Sequence, residues 1–395
     1  MKILLVMESV PGAQKHERKE DLYSMAARSY AAVANHTDLY VMSPLDPHLA
    51  DSVASDYRVD TCIYPNRNWL SLLFGSGKAH ALLRRGRRAV ERHYRDRGKP
   101  DLVVGLQSID STGMLARTLK ESLGIPYIVW EHKTSCQRGR LSPDKRREYA
   151  AVIEASERVY AVSQPLRDTL VHNLEVTDEK VSVLHNAVSD SFFEPPRQQH
   201  LDESFYKRTR NTFVFGGWTN WRSIKNPHLA VDAFFGLMER LPDTTLVLAG
   251  LVTEDVKRRV EGIDRVYLTG PLDRHGVHEL AHTVDCCILP SDHETFGLPL
   301  IEAFAAGRPA VTTRCGGPES FFPSSDFGEI VDKGDAEAFS AAMERVYHAC
   351  RQGRYQSQTI AAHCRRHFSE SHHVENIQKN LTGIAHHLSG LSEGR

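Results

Sequence analysis

The feature that most constrains this chain is a rhythm of short apolar runs alternating with longer amphipathic stretches. The runs read KILLVM, DLYVMS, DLVVGL, PYIVWEH, RVYAVS and VSVLHN, then FVFGGW, TTLVLAG, RVYLTG, CCILPSD and PAVTTR. A continuous apolar run suits a strand buried on both faces, and the helix-length spacers supply its cover. The pattern therefore predicts an α/β chain of parallel sheets with helices on both sides. Many runs end in a polar or glycine-containing turn, and ligands of open parallel sheets bind at those carboxyl ends.

The rhythm breaks between Asn186 and Thr212, where Pro195, Pro196 and dense charge replace any strand. A chain of 395 residues is also too long for one ordinary core. Two Rossmann-like domains facing an interdomain cleft are expected: residues 1–190, a linker at 191–211, and residues 212–371. A terminal helix over 372–395 is expected to pack back on the first domain.

Charge is balanced, with 49 Lys and Arg against 50 Asp and Glu, so no global field draws nucleic acid. The opening apolar run meets Glu8 too early for a leader or a spanning helix and reads as a buried strand. Seven scattered cysteines without metal-ligand spacing point to reduced thiols in a cytoplasmic protein with no metal site.

The most informative window is CCILPSDHETFGLPLIEAFAAGRPAVTTRCGGPES. A strand delivers a polar loop, and a helix begins near Leu298 or Pro299, since proline suits a first turn. That start leaves the amides of Phe296, Gly297 and Leu298 at a positive helix end, a seat for phosphate. Glu294 lies just before the helix and Glu302 about one turn inside it, so both carboxylates can border one ligand and accept from sugar hydroxyls. A diphosphate there requires cations, which FGGWTNWRSIKNP supplies. After the strand-ending Gly217, Lys225 is placed to neutralise a leaving phosphate and Arg222 to clamp two oxygens. The bland readings are a cap for Glu294, a solvated helix position for Glu302 and a local cap for Glu319.

With these motifs in order, namely the strand, Gly, basic residues and KN, then LAG, LTG, ILPSD, the glutamate pair and Gly316-Gly317-x-Glu319, the second half resembles the retaining glycosyltransferase family 4, glycosyl transferases group 1, of the GT-B fold. The resemblance continues through Phe368 and Ser369. It implies that Glu302 holds ribose hydroxyls, Glu294 the hydroxyls of the transferred sugar, and Lys225 the diphosphate. It also implies that His132, after the strand PYIVWE, faces the donor sugar, and that Gly12 sits in the family's glycine loop. At Trp218 the chain departs from the family, which commonly has an arginine there.

Residues 69–99 hold the chain's strong basic cluster, Arg84, Arg85, Arg88, Arg92 and Arg95, beside Trp69, Leu70, Leu72, Leu73 and Phe74. A solvated helix face is the ordinary reading; the alternative is contact with anionic lipid at the inner face of a membrane, or with a lipid-linked acceptor. The expected function is metal-independent, retaining transfer from a nucleotide-diphosphate sugar to a hydroxyl acceptor, with no cofactor beyond that donor. A non-catalytic sugar-nucleotide-binding protein and a glycoside hydrolase using Glu294 and Glu302 are the rivals.

Overall fold

A computed structural model describes residues 1–7, 19–41, 59–63, 78–107, 109–133 and 141–393. Gly12 and residues 69–77 lie outside the described residues. The contacts divide the chain into two units, Met1–His185 with His373–Arg395, and Asn186–His372.

The first unit is a parallel sheet of β1 (Lys2–Met7), β2 (His36–Val41), β3 (Thr61–Ile63), β4 (Leu102–Gln107), β5 (Tyr127–Glu131), β6 (Arg158–Ala161) and β7 (Val181–Val183). Its order is β3-β2-β1-β4-β5-β6-β7, so the winding reverses between β1 and β4. The apolar runs form strands because both faces are covered: every residue of β5 is buried, as are five of the six in β1. In the helix Lys78–Tyr94, Ala89, Val90 and Tyr94 are buried while Arg84, Arg88 and Arg92 are exposed. Among the described residues no helix is long and apolar enough to cross a membrane. Trp130 of β5 stacks on His373 of the terminal helix, with ring centroids 5.0 Å apart, and Ile377, Leu381 and Ile384 continue that helix's buried stripe.

The second unit carries β8 (Phe213–Trp218), β9 (Thr244–Ala249), β10 (Val266–Gly270), β11 (Cys286–Leu289), β12 (Ala310–Thr313) and β13 (Gly328–Val331). The strands are parallel in the order β10-β9-β8-β11-β12-β13. The reversal falls between β8 and β11, where Cys286 pairs with Phe215 and Cys287 with Gly216. That switch point is the ligand end of such a sheet, and it carries both motif windows. Residues 191–211 group with this unit and contain the helix Glu203–Thr209, capped by Asp202.

Both Rossmann-like sheets expected from the rhythm are present, and its eleven runs all lie in strands. Among the described residues two strands were not visible as runs, β3 and β13. Both are short strands at a sheet edge.

Candidate active site

The loops after β8 and β11 are joined at the switch point. Beyond β8, Trp221 turns back into the core: it is 1% exposed and its indole N–H donates to Ala249 O at 3.1 Å. A Cβ on Gly217 would stand 2.9 Å from the Trp221 ring and 3.0 Å from Ile288 O, so this glycine makes room for the tryptophan. Gly217, the strand-ending glycine counted beside the expected donor site, thus has a packing reason of its own.

One turn, Ser223–Lys225, leads into the helix Pro227–Met238. Asn226 adopts φ 47° there, and its Oδ1 accepts Leu229 N–H at 3.2 Å as the helix cap. Its Nδ2 reaches across to Asp292 Oδ1 at 3.1 Å, and Asp292 N–H donates to Ile224 O at 2.9 Å. The two loops are therefore tied directly to each other.

Within this frame Lys225 Nζ donates to Glu294 Oε1 at 2.6 Å, and Ser291 Oγ donates to the same oxygen at 2.8 Å. The side chains are 15% and 9% exposed, so the pair is largely removed from water. The backbone of Glu294 is fixed as well. Its N–H donates to Cys315 O, and its carbonyl accepts Gly317 N–H, each at 2.9 Å. Both oxygens of Glu319 lie within 3.0 Å of Gly316 N–H, the local capping role that was its bland reading.

The helix Leu298–Ala305 starts at Gly297, with φ 107° and no side chain capping its first turn. Leu298 at its first position is half-buried, and the Phe296 ring packs on Phe321 at 4.7 Å. Gly317 allows that loop to lie on the following turn: a Cβ there would come within 2.4 Å of the Phe296 backbone. One turn along, Glu302 Oε2 accepts the indole N–H of Trp218 at 2.5 Å. Trp218 is itself 1% exposed. Arg222 is exposed and contributes to the turn through its backbone, accepting Lys225 N–H at 2.7 Å. The structure thus brings Lys225, not Arg222, against the glutamate.

In the first unit His132 follows β5 directly. Its ring meets Trp130 edge-on at 4.5 Å. Desolvation, reinforced by His373, pushes its pKa down to about 3, so the imidazole is neutral at physiological pH. The adjoining Glu131 is buried, and desolvation pushes its carboxyl up to about 7. Among the described residues no three His, Cys, Asp or Glu side chains are grouped to hold a metal ion.

Sequence reasoning assigned no individual role to Ser291, Asn226, Asp292 or Glu131. Ser291 and Asp292 stand in the SDHE loop beside Glu294, and Asn226 in the KNP turn, where polar residues between a strand and a helix were a usable signal.

Two family models match the chain: Glycosyltransferase Family 4 over residues 31–192 and Glycosyl transferases group 1 over residues 210–349. The chain belongs to the family 4, group 1 glycosyltransferases. It is 24% identical over 282 residues to a glycogen synthase of Mycobacterium tuberculosis, covering 68% of this chain and 65% of that protein. It is 29% identical over 188 residues to the N-acetyl-alpha-D-glucosaminyl L-malate synthase of Bacillus anthracis, covering 46% and 48%. The matches therefore span less than two thirds of these relatives. The glycosyltransferase fold agrees with that of Anabaena Alr3699/HepE solved in complex with UDP and glucose, at a TM-score of 0.75, 15% identity and coverage of 97% and 100%. Sucrose-phosphate synthase from Thermosynechococcus elongatus is similar at 0.75 and 15%, covering 97% and 98%.

Proposed function

We propose that the protein moves a sugar from a nucleotide-diphosphate sugar to a hydroxyl acceptor, with retention of anomeric configuration and without a metal ion. The observation that carries this reading is the ion pair between Lys225 and Glu294 beside the helix start at Gly297. A carboxylate and an ammonium held this close, next to a helix start that no side chain caps, offer acceptors for sugar hydroxyls and positive charge for phosphate at one place.

On this reading Glu294 receives the hydroxyls of the transferred sugar and Glu302 those of the ribose. Lys225 and the amides at 296–298 stabilise the charge that grows on the departing diphosphate. Arg222, exposed at the rim, adds charge for the same group. His132 in its neutral form hydrogen-bonds the donor sugar. The acceptor hydroxyl attacks from the face that the nucleotide leaves, and a phosphate oxygen takes its proton, so no carboxylate transfers one. The relatives' names support a sugar-transfer class, and HepE's complex supports a UDP-type donor.

One observation favours the second reading, binding without transfer: Trp218 stands where the family commonly has an arginine, and it engages Glu302. The deciding experiment screens UDP-, GDP-, ADP- and CMP-sugars for thermal stabilisation, then follows product formation with and without EDTA. Saturating donor at a hundredfold its Kd stabilises by about 2.7 kcal/mol. No stabilisation by any of them defeats the donor site, and stabilisation without product selects the second reading. Contact with anionic lipid is proposed for the basic helix face; replacing Arg84, Arg85 and Arg88 by Gln should lower binding to anionic vesicles, and unchanged binding refutes it.

A further inference from the structure

The transfer proposed above makes no use of Glu131, a carboxyl only 1% exposed at the end of β5. Its Oε2 accepts Ile109 N–H at 2.6 Å, and its Oε1 accepts Lys133 N–H, also at 2.6 Å. Ile109 opens a π-helical turn, Ile109–Gly113, after β4; such turns are rare and concentrate at functional sites. Lys133 is the residue after His132. A second tie joins the same two segments, Lys133 Nζ to Asp110 Oδ1 at 2.8 Å. The side chain of Glu131 therefore closes a loop around the backbone of His132 and anchors that loop to the neighbouring strand end, where Gln107 pairs with Glu131.

The residue type matters. Two backbone N–H donors must be met by two separate acceptors, and only a carboxylate presents two; glutamine would turn an NH2 toward one of them. A buried carboxylate is costly to maintain, so its presence where an apolar side chain would fill the space calls for a reason.

We infer that Glu131 is a positioning residue for His132, holding the imidazole's backbone against the turn that follows β4. The inference rests on the reading of His132 as a sugar-facing group. Titration supports the geometry. Burial raises the Glu131 carboxyl to about 7, against the lowering effect of the Ile109 and Lys133 N–H bonds; Asp110 from the π turn raises it further and the Lys133 ammonium lowers it. Protonation removes one acceptor, so the double clasp assembles as pH rises through about 7. Stability moves the other way. With the folded value above the unfolded one, the fold favours the protonated form, and this contribution declines between about pH 4.5 and 7.

The test uses the full chain labelled with 15N-histidine, the His132 signal being assigned through His132→Gln. The wild-type His132 ring, itself neutral above about pH 3, should shift with a midpoint near pH 7, and Glu131→Gln should abolish that shift. With the donor selected by the thermal screen, Glu131→Gln should lower kcat about tenfold with KM nearly unchanged, and remove the limb near pH 7. A wild-type His132 signal flat from pH 6 to 8 overturns the inference, and that measurement decides alone if the variant does not fold. An unchanged kcat and pH limb in folded Glu131→Gln also overturns it. Full turnover by His132→Gln would instead defeat the sugar-facing reading while leaving the Glu131-dependent shift of wild-type His132 intact, so the two failures are distinguishable.

Discussion

The indole N–H of Trp218 donates to Oε2 of Glu302 across 84 residues of sequence, at 2.5 Å. A bulky neutral donor thus occupies a place where the family resemblance leads one to expect a guanidinium, and it restrains the carboxylate assigned to the ribose. Trp218→Phe keeps most of the buried area and removes only the donor. Hydrogen bonds to charged groups contribute about 1.5–3 kcal/mol, and Glu302 is half-buried, so a loss of about 1–2 kcal/mol in urea unfolding is expected. Affinity for the stabilising nucleotide, measured by calorimetry, should fall about tenfold as Glu302 loses its orientation. Unchanged affinity would reduce the bond to a packing role.

Lys225→Ala leaves Glu294 with Ser291 as its remaining side-chain donor in a site that is largely out of water. Breaking a fully buried pair costs about 3–5 kcal/mol; with Lys225 15% exposed, about 1–3 kcal/mol is expected. Donor turnover should fall at least about a hundredfold, because the charge on the leaving diphosphate goes unanswered. A folded Lys225→Ala protein with wild-type turnover would sink the donor-site assignment.

Two glycines should respond in opposite ways to alanine. At Gly317 the new methyl would lie 2.4 Å from the Phe296 backbone, which must move and carry the start of the helix Leu298–Ala305 with it. A cost of about 1–3 kcal/mol and a measurable loss of nucleotide affinity are expected. Gly383, exposed in the terminal helix with nothing within 4 Å of a built Cβ, should gain about 0.5–1 kcal/mol as alanine. Chemical denaturation of both variants checks the pair, and equal effects would contradict the close approach.

His132 makes a signed pH prediction. Its folded pKa, near 3, lies below the unfolded value near 6.5, so the unfolded chain binds the extra proton between them. The stability it contributes is complete above about pH 6.5 and is lost as pH falls toward 3. Relative to wild type, His132→Gln should lose about 1–2 kcal/mol less between pH 7 and pH 5, read from urea midpoints. Equal losses would mean that His132 is not held neutral by the fold.

Much of this was legible along the chain because it is written in local pattern. FVFGGW and CCILPSD announce β8 and β11 through apolar runs, and the glycine, basic and acidic positions after them mark the ligand ends. Lys225, Glu294 and Glu302 were singled out for that reason. For Arg222 and Gly217 the same reasoning did not give the surroundings. A basic residue in the right loop is exposed, and a glycine at a strand end makes room for Trp221, because side-chain direction and neighbours from other strands are not local properties.

The sequence by itself determined the alternation of strands and helices, the two Rossmann-like sheets, and which loops would carry charge beside a helix start. These follow from hydrophobic periodicity and turn chemistry over stretches of about ten residues. Only the tertiary structure decided the partners. Lys225 meets Glu294 across 69 residues, Trp218 meets Glu302 across 84, and Glu131 spans two strand ends to reach Ile109. Each bond exists because parallel pairing brings distant strand ends side by side, and burial then requires every donor and acceptor there to find a partner.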